Sequence, residues 1–174
     1  MVNRFLDARK TLEVIIYISH KEHDLRRIMK YVYFADKCHV EKYGRFITSE
    51  VYIRMPQGPV PSAAYDIAKI VRDDDQYFDA RLVKLTPKNS LRYEHPHKLI
   101  PLRNANLDYL SESDIECLDE TISDLSKLTD KKLIDKGHKE KAWIDAQENG
   151  LMNEDEIILS VEHGKRVLAY MNSD

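Results

Sequence analysis

Asp36 and His39 stand three residues apart in a stretch whose other positions, Leu25, Ile28, Met29, Val32, Val40 and Tyr43, form an apolar stripe at helical spacing. At that separation two side chains are neighbours on a helix. A carboxylate could orient and charge the imidazole, or both could tie down backbone groups elsewhere. A polar pair within such a stripe suits three roles: fixing one packing arrangement, binding a partner, or acid/base catalysis. His138 would complete a small metal-dependent or acid/base hydrolase built on Asp36, His39 and His138, and with Cys38-His39 it could converge in space. The remaining histidines argue against a metal. His20 with His23 and His95 with His97 lack the further Cys or carboxylate at ligand spacing that makes a zinc signature specific. Cys38 and Cys117 lie too far apart for a CxxC pair. No Gly-x-Ser-x-Gly elbow, Gly-rich phosphate loop or His-Glu-x-x-His occurs, so neither an enzyme nor a bound cofactor or metal is expected.

Bulk charge narrows the partners. The 174 residues carry 27 Lys+Arg against 30 Asp+Glu, a net charge of −3 that provides no field for a polyanion. Arg26, Arg27 and Lys30 beside Tyr31 read as the solvated face of a helix, and nucleic acid is disfavoured as a partner. The balance shifts along the chain, from +4 over residues 1–54 through +1 over 55–110 to −8 over 111–174. That last third reads as solvated helix faces or as a docking surface for a basic protein, with Glu112, Asp119, Asp124, Glu148, Asp155 and Glu156 as candidates. Two cysteines fit a reducing cytoplasm. The longest apolar runs, Val14 to Ile18 and Tyr31 to Ala35, fall far short of the roughly 20 residues that cross a bilayer, and Asp7 stands where a signal peptide needs its apolar stretch. A cytoplasmic protein without membrane contact is expected.

The elements that would position these residues follow from periodicity and caps. Phe5, Ala8, Leu12, Ile15 and Ile16 predict a helix over roughly residues 3–20. Asp24 caps a second helix that stops at Gly44. Residues 45–61 are extended, rich in β-branched and aromatic types and then in Pro56, Gly58, Pro59 and Pro61; Ser62 caps a short helix carrying Ala64, Ile67, Ala68 and Val71. After Asp73-Asp74-Asp75, Ala80 to Thr86 reads as a strand turning at Pro87-Lys88-Asn89-Ser90 into Leu91 to Glu94. Lys98 to Arg103 is a third extended piece, held to an edge by Pro101. Ser113 with Glu116 forms a capping box for a helix through Leu128, Thr129 starts another ending at Gly137, and a further one runs from about Lys139 to Asn149. Asn153 caps a last helix carrying Ile157, Val161 and Leu168. The expectation is one α+β domain over residues 1–174, mainly helical with a small antiparallel β element.

The order Phe34-Ala35-Asp36, His39, Tyr43-Gly44-Arg45-Phe46-Ile47-Thr48, Tyr52, Gly58-Pro59-Val60-Pro61-Ser62 and Tyr65 resembles the Panacea domain. That is the SocA-like antitoxin family, which includes phage-associated GepA-like proteins. His138 with Ala142-Trp143, then Gly150-Leu151, resembles the family's closing block, so the likeness spans roughly residues 10–160. The family pattern usually has Gly after Thr48, where this chain has Ser49, and residues 77–103 match nothing in it. The resemblance implies an antitoxin without enzymatic activity that neutralises a cognate toxin by direct protein–protein binding, in a bacterium or phage. A proteolytic adaptor that hands its toxin to a protease is the alternative within the family. Gly44, Gly58, Pro59 and Pro61 read as scaffold that presets the backbone, and Trp143 reads as core whose indole N–H needs a partner.

Overall fold

The computed structural model describes residues 5–74 and 76–173. Residues 3 and 4 of the expected first helix, Asp75 of the acidic break and the terminal Asp174 lie outside that range. The chain is mainly helical with two small antiparallel hairpins, the α+β class expected.

Helix α1, Ala8–Ser19, starts later than expected, leaving Phe5 exposed outside it, because the Asp7 side chain caps the helix by accepting from the Lys10 N–H at 3.0 Å. Helix α2, Leu25–Tyr43, is capped by Asp24 and ends at Gly44, which adopts φ +65 with a Tyr170 ring carbon 3.0 Å from where a Cβ would stand. Every residue from Ile28 to Asp36 is buried. A helix buried on all sides is the middle of a structure, and α2 packs against α1, against strand Gly58–Pro61 and against the helices Glu112–Ser126, Asp130–His138 and Glu154–Leu159.

Strands β1, Tyr52–Met55, and β2, Gly58–Pro61, pair in the register Tyr52↔Pro61 to Met55↔Gly58. Residues 149–152 extend this hairpin, with the Met152 N–H donating to the Tyr52 carbonyl at 2.9 Å. Only part of the expected extended segment 45–61 is therefore strand; residues 45–51 form an irregular loop. Helix α3, Ser62–Val71, is not capped by Ser62. The Glu50 carboxyl group, reaching across from that loop, accepts from the Ala63 and Ala64 N–H groups at 2.9 and 2.8 Å.

The expected strand from Ala80 to Thr86 is instead helix α4, Ala80–Lys84. The Asp79 side chain caps it, and Leu82 and Leu85, three apart, face the core as they would on a helix. Leu91–Glu94 (β3) therefore pairs with Lys98–Pro101 (β4), not with residues 80–86. This second hairpin docks on the α1–α2 connection through Leu25 N–H to His97 O and Leu99 N–H to His23 O, at 2.8 and 2.9 Å.

Helix α5, Glu112–Ser126, has its capping box two residues earlier than expected, on Ser111 and Asp114. Helix α6, Asp130–His138, starts at Thr129. The helix expected over 139–149 shrinks to α7, Lys141–Asp145, because the Arg54 guanidinium takes the Ile144 and Ala146 carbonyls at 3.0 and 2.7 Å. The expected last helix is two, α8 Glu154–Leu159 and α9 Gly164–Met171. His163 turns left-handed there, and Gly164 backs so closely on the Ile158 carbonyl that a Cβ would sit 2.4 Å from its oxygen.

Candidate partner-binding site

Asp36 is buried on α2 and does not pair with His39. Its Oδ1 accepts from the Ile47 and Thr48 N–H groups at 2.7 and 3.1 Å, and its Oδ2 from the Thr48 and Tyr52 hydroxyls at 2.7 and 2.6 Å. Burial pushes the carboxyl up, and the bonds from Tyr52 and Thr48 pull it back. One side chain thereby fixes the loop that leaves α2 and the first residue of β1. In this loop Ser49 stands left-handed at φ +54, the conformation that glycine takes without strain.

His39, fully buried, holds the same loop from a second point. Its Nδ1 lies 2.9 Å from the Arg45 carbonyl, which can only accept, so Nδ1 carries the proton and Nε2 accepts from the Ser113 hydroxyl at 2.9 Å. Burial lowers its pKa, with the Arg45 carbonyl opposing. Behind it Asp114 lies 3.3 Å from Nε2, while Lys10 and Arg45 approach the carboxylate at 2.7 and 3.1 Å. Burial works to raise the Asp114 carboxyl, but the Lys10 bond and the Ser111 N–H leave it net lowered. Asp36 and His39 thus follow the second of the two options open at their spacing.

The closing block grips the β1–β2 hairpin from the other side. Trp143 donates its indole N–H to the Met55 carbonyl at 3.0 Å, and His138 donates from Nε2 to the Pro56 carbonyl at 2.9 Å. The two rings stack at 4.3 Å, and the Arg54 guanidinium lies 4.3 Å above the indole on β1. Trp143 is half-buried here, not in the deep core. Gly58 turns at φ +116, and a Cβ on Gly137 would meet Pro59 Cδ at 3.1 Å, so helix α6 and the hairpin touch backbone to backbone. Pro61 leads into α3, where Tyr65 is half-buried with the Lys69 ammonium 5.0 Å from its ring. Tyr33 and Lys37 complete the brace, both donating to Glu140 ahead of α7, at 2.8 and 2.6 Å.

Asp36, His39, Tyr52, Gly58, Pro59, His138 and Trp143 therefore converge on one task, clamping the hairpin and its entry loop between α2 and the α6–α7 corner. They do not converge as a catalytic trio, since Asp36, His39 and His138 each bond to a different stretch of chain. Among the described residues no group of three or more His, Cys, Asp or Glu is placed to hold a metal ion.

Three features escaped the sequence. Lys30, expected on a solvated face with Arg26 and Arg27, is 3% exposed and lies under Gly58. Glu13 is buried in α1 with a bidentate bond from Arg103, both contacts 2.8 Å. Cys38 and Cys117, 79 positions apart in sequence, meet between α2 and α5, where the bond between the thiols lowers Cys38 and raises Cys117. The signal available for Lys30 was its position two after Ile28 and two before Val32, inside a run too apolar to have an outer face.

Among the described residues no helix is long and apolar enough to cross a membrane. Neither a search of curated proteins nor one of solved structures finds a match. The family model of the antitoxin SocA-like Panacea domain matches residues 28–144, a shorter span than the 10–160 expected from the motifs, but one that holds most of α2, both hairpins and the clamp around Trp143. With more than half of the chain covered, this protein belongs to the SocA-like antitoxin family, Panacea domain.

Proposed function

We propose that this chain neutralises a cognate toxin by binding it directly, using as its rigid platform the β1–β2 hairpin clamped by α2, α6 and α7. One observation carries the reading beyond family membership: the motif side chains spend their functional groups inside the protein. Asp36 accepts four hydrogen bonds, His39 uses both ring nitrogens, and His138 and Trp143 each donate to a hairpin carbonyl. Groups consumed in this way hold a surface in shape and are not free to abstract protons or attack a substrate. What they present is the hairpin tip, Pro56 and Gln57, which stays exposed.

The test is co-expression with the reading frame encoded beside this one. A frame that arrests growth alone, is tolerated together with this chain and co-purifies with it at unchanged abundance is the expected result. Rescue accompanied by protease-dependent loss of the toxin would replace direct inhibition with the adaptor mechanism. Failure to rescue or to co-purify would overturn the reading.

A further inference from the structure

Lys30 is the one cation of its cluster left without an anion. Arg26 pairs with Asp24 at 2.5 Å, and Arg27 pairs with Glu22 and Asp130 at 2.7 and 2.8 Å. The Lys30 ammonium has only the Arg26 carbonyl, at the long distance of 3.5 Å, and among the described residues no carboxylate comes within 4.0 Å of it. A buried ammonium in that position is costly unless an anion joins it.

The fold keeps it buried by construction. The hairpin tip passes directly overhead, and a Cβ on Gly58 would lie 3.5 Å from Lys30 Cε and 4.0 Å from Nζ. Beside it opens a notch lined by Arg26, Arg27, Lys30, Gln57, Asp130 and Leu133, with a volume of about 20 Å³. That space admits a single water-sized group, since one water needs about 10–15 Å³. It suits one carboxylate oxygen in contact with the ammonium. Arg26 and Arg27 are already answered by Asp24, Glu22 and Asp130, so the unmatched charge beside the notch is that of Lys30, and Gln57 adds a neutral amide at the rim.

We propose that this notch between α2, the hairpin tip and α6 is a receptor for one carboxylate, an Asp or Glu side chain of the bound partner, whose oxygen enters to pair with the Lys30 ammonium. The partner's being a toxin rests on the preceding reading; the receptor itself does not. The electrostatics agree with the geometry. Burial first, then repulsion from Arg26 and Arg27, draw Lys30 down to about 8, while Asp24 and Asp130 pull the other way. The hairpin tip contributes only the uncharged Gln57 to this balance. An arriving carboxylate restores the charged form, so binding takes up protons and weakens as the pH rises above about 8.

The test uses the full chain and sodium acetate as probe, with sodium chloride holding ionic strength constant, and reads the Lys30 side-chain Cε and Nζ resonances by NMR. Acetate is expected to shift them saturably and to raise the Lys30 titration midpoint. Lys30→Met should lose the acetate-dependent shifts of neighbouring Gln57 and Leu133 while keeping the wild-type circular dichroism. No saturable shift, an equal shift with chloride, or tighter binding of inorganic phosphate would each overturn the carboxylate receptor. In co-expression, Lys30→Met and Lys30→Glu should weaken toxin binding roughly tenfold or more, the usual consequence of losing one partner of a desolvated charge pair. Acetate binding with full neutralisation by Lys30→Met would remove the notch from the toxin interface. If the wild-type chain neutralises nothing, the functional reading falls while the acetate result stands by itself.

Discussion

Replacing Asp36 tests the centre of the clamp. Asp36→Ala leaves the Ile47 and Thr48 N–H groups and the Thr48 and Tyr52 hydroxyls without their acceptor, in a site where the residue itself is only 1% exposed. Each orphaned buried N–H costs about 1–3 kcal/mol. The hydroxyls add less, because they can rotate, so the expected loss is about 3–5 kcal/mol. Asp36→Asn keeps one oxygen for the two N–H groups and turns its NH₂ toward hydroxyls that can accept as well as donate. Its cost should be about 1–2 kcal/mol, mostly the lost charge on the acceptor. Urea unfolding followed by far-UV circular dichroism measures both. At about 2–4 °C per kcal/mol for a chain of this length, Asp36→Ala should lower Tm by roughly 6–20 °C. An Asp36→Ala variant within about 1 kcal/mol of wild type, or one no worse than Asp36→Asn, would refute the argument that four converging bonds hold the loop.

Burial pushes the Glu50 carboxyl from 4.5 up to about 8, so the folded protein keeps a proton that the unfolded chain releases. This contribution to stability is full below about 4.5 and is lost as the pH climbs through about 8. Denaturation midpoints measured across that range should fall, and Glu50→Gln should flatten the slope; an unchanged slope would assign the effect to other groups. Ser49→Gly should stabilise the protein by about 0.5–1 kcal/mol, because the left-handed strain of about 1–2 kcal/mol exceeds the extra chain entropy of glycine. A lower urea midpoint for this variant would contradict that balance. Glu148 and Asp155 are exposed, whereas Glu156 pairs with Lys141 at 2.9 Å. If the toxin presents a basic surface, reversing the first two should slow its association several-fold at low salt and much less above 0.1 M, where screening acts over about 10 Å. A loss equal at all salt concentrations would exclude steering by this face.

The helices with a cap and an apolar stripe were readable from local sequence alone. Asp24, Thr129 and Asn153 cap where their side chains predict, and Gly44 stops α2 in the left-handed turn that only its missing Cβ makes easy. The motif order around Asp36, Gly58 and Trp143 likewise gave the family, because such spacing records a shared fold. Local pattern failed where a distant side chain overrode it. Arg54 ends α7 early by taking the carbonyls of Ile144 in its last turn and of Ala146 just beyond it, and Glu50 caps α3 from outside the helix. At Ala80 to Lys84 the run is so short that a docking surface for Leu82, not intrinsic preference, chooses helix over strand. The partners of Asp36 and His39 were undecidable in the same way, since helical spacing makes two side chains neighbours without saying which donors the returning loop will bring. The burial of Lys30 is tertiary in origin too: the hairpin tip closes over it because Gly58 and Gly137 let two backbones approach, and no property of residues 26–34 alone specifies that roof.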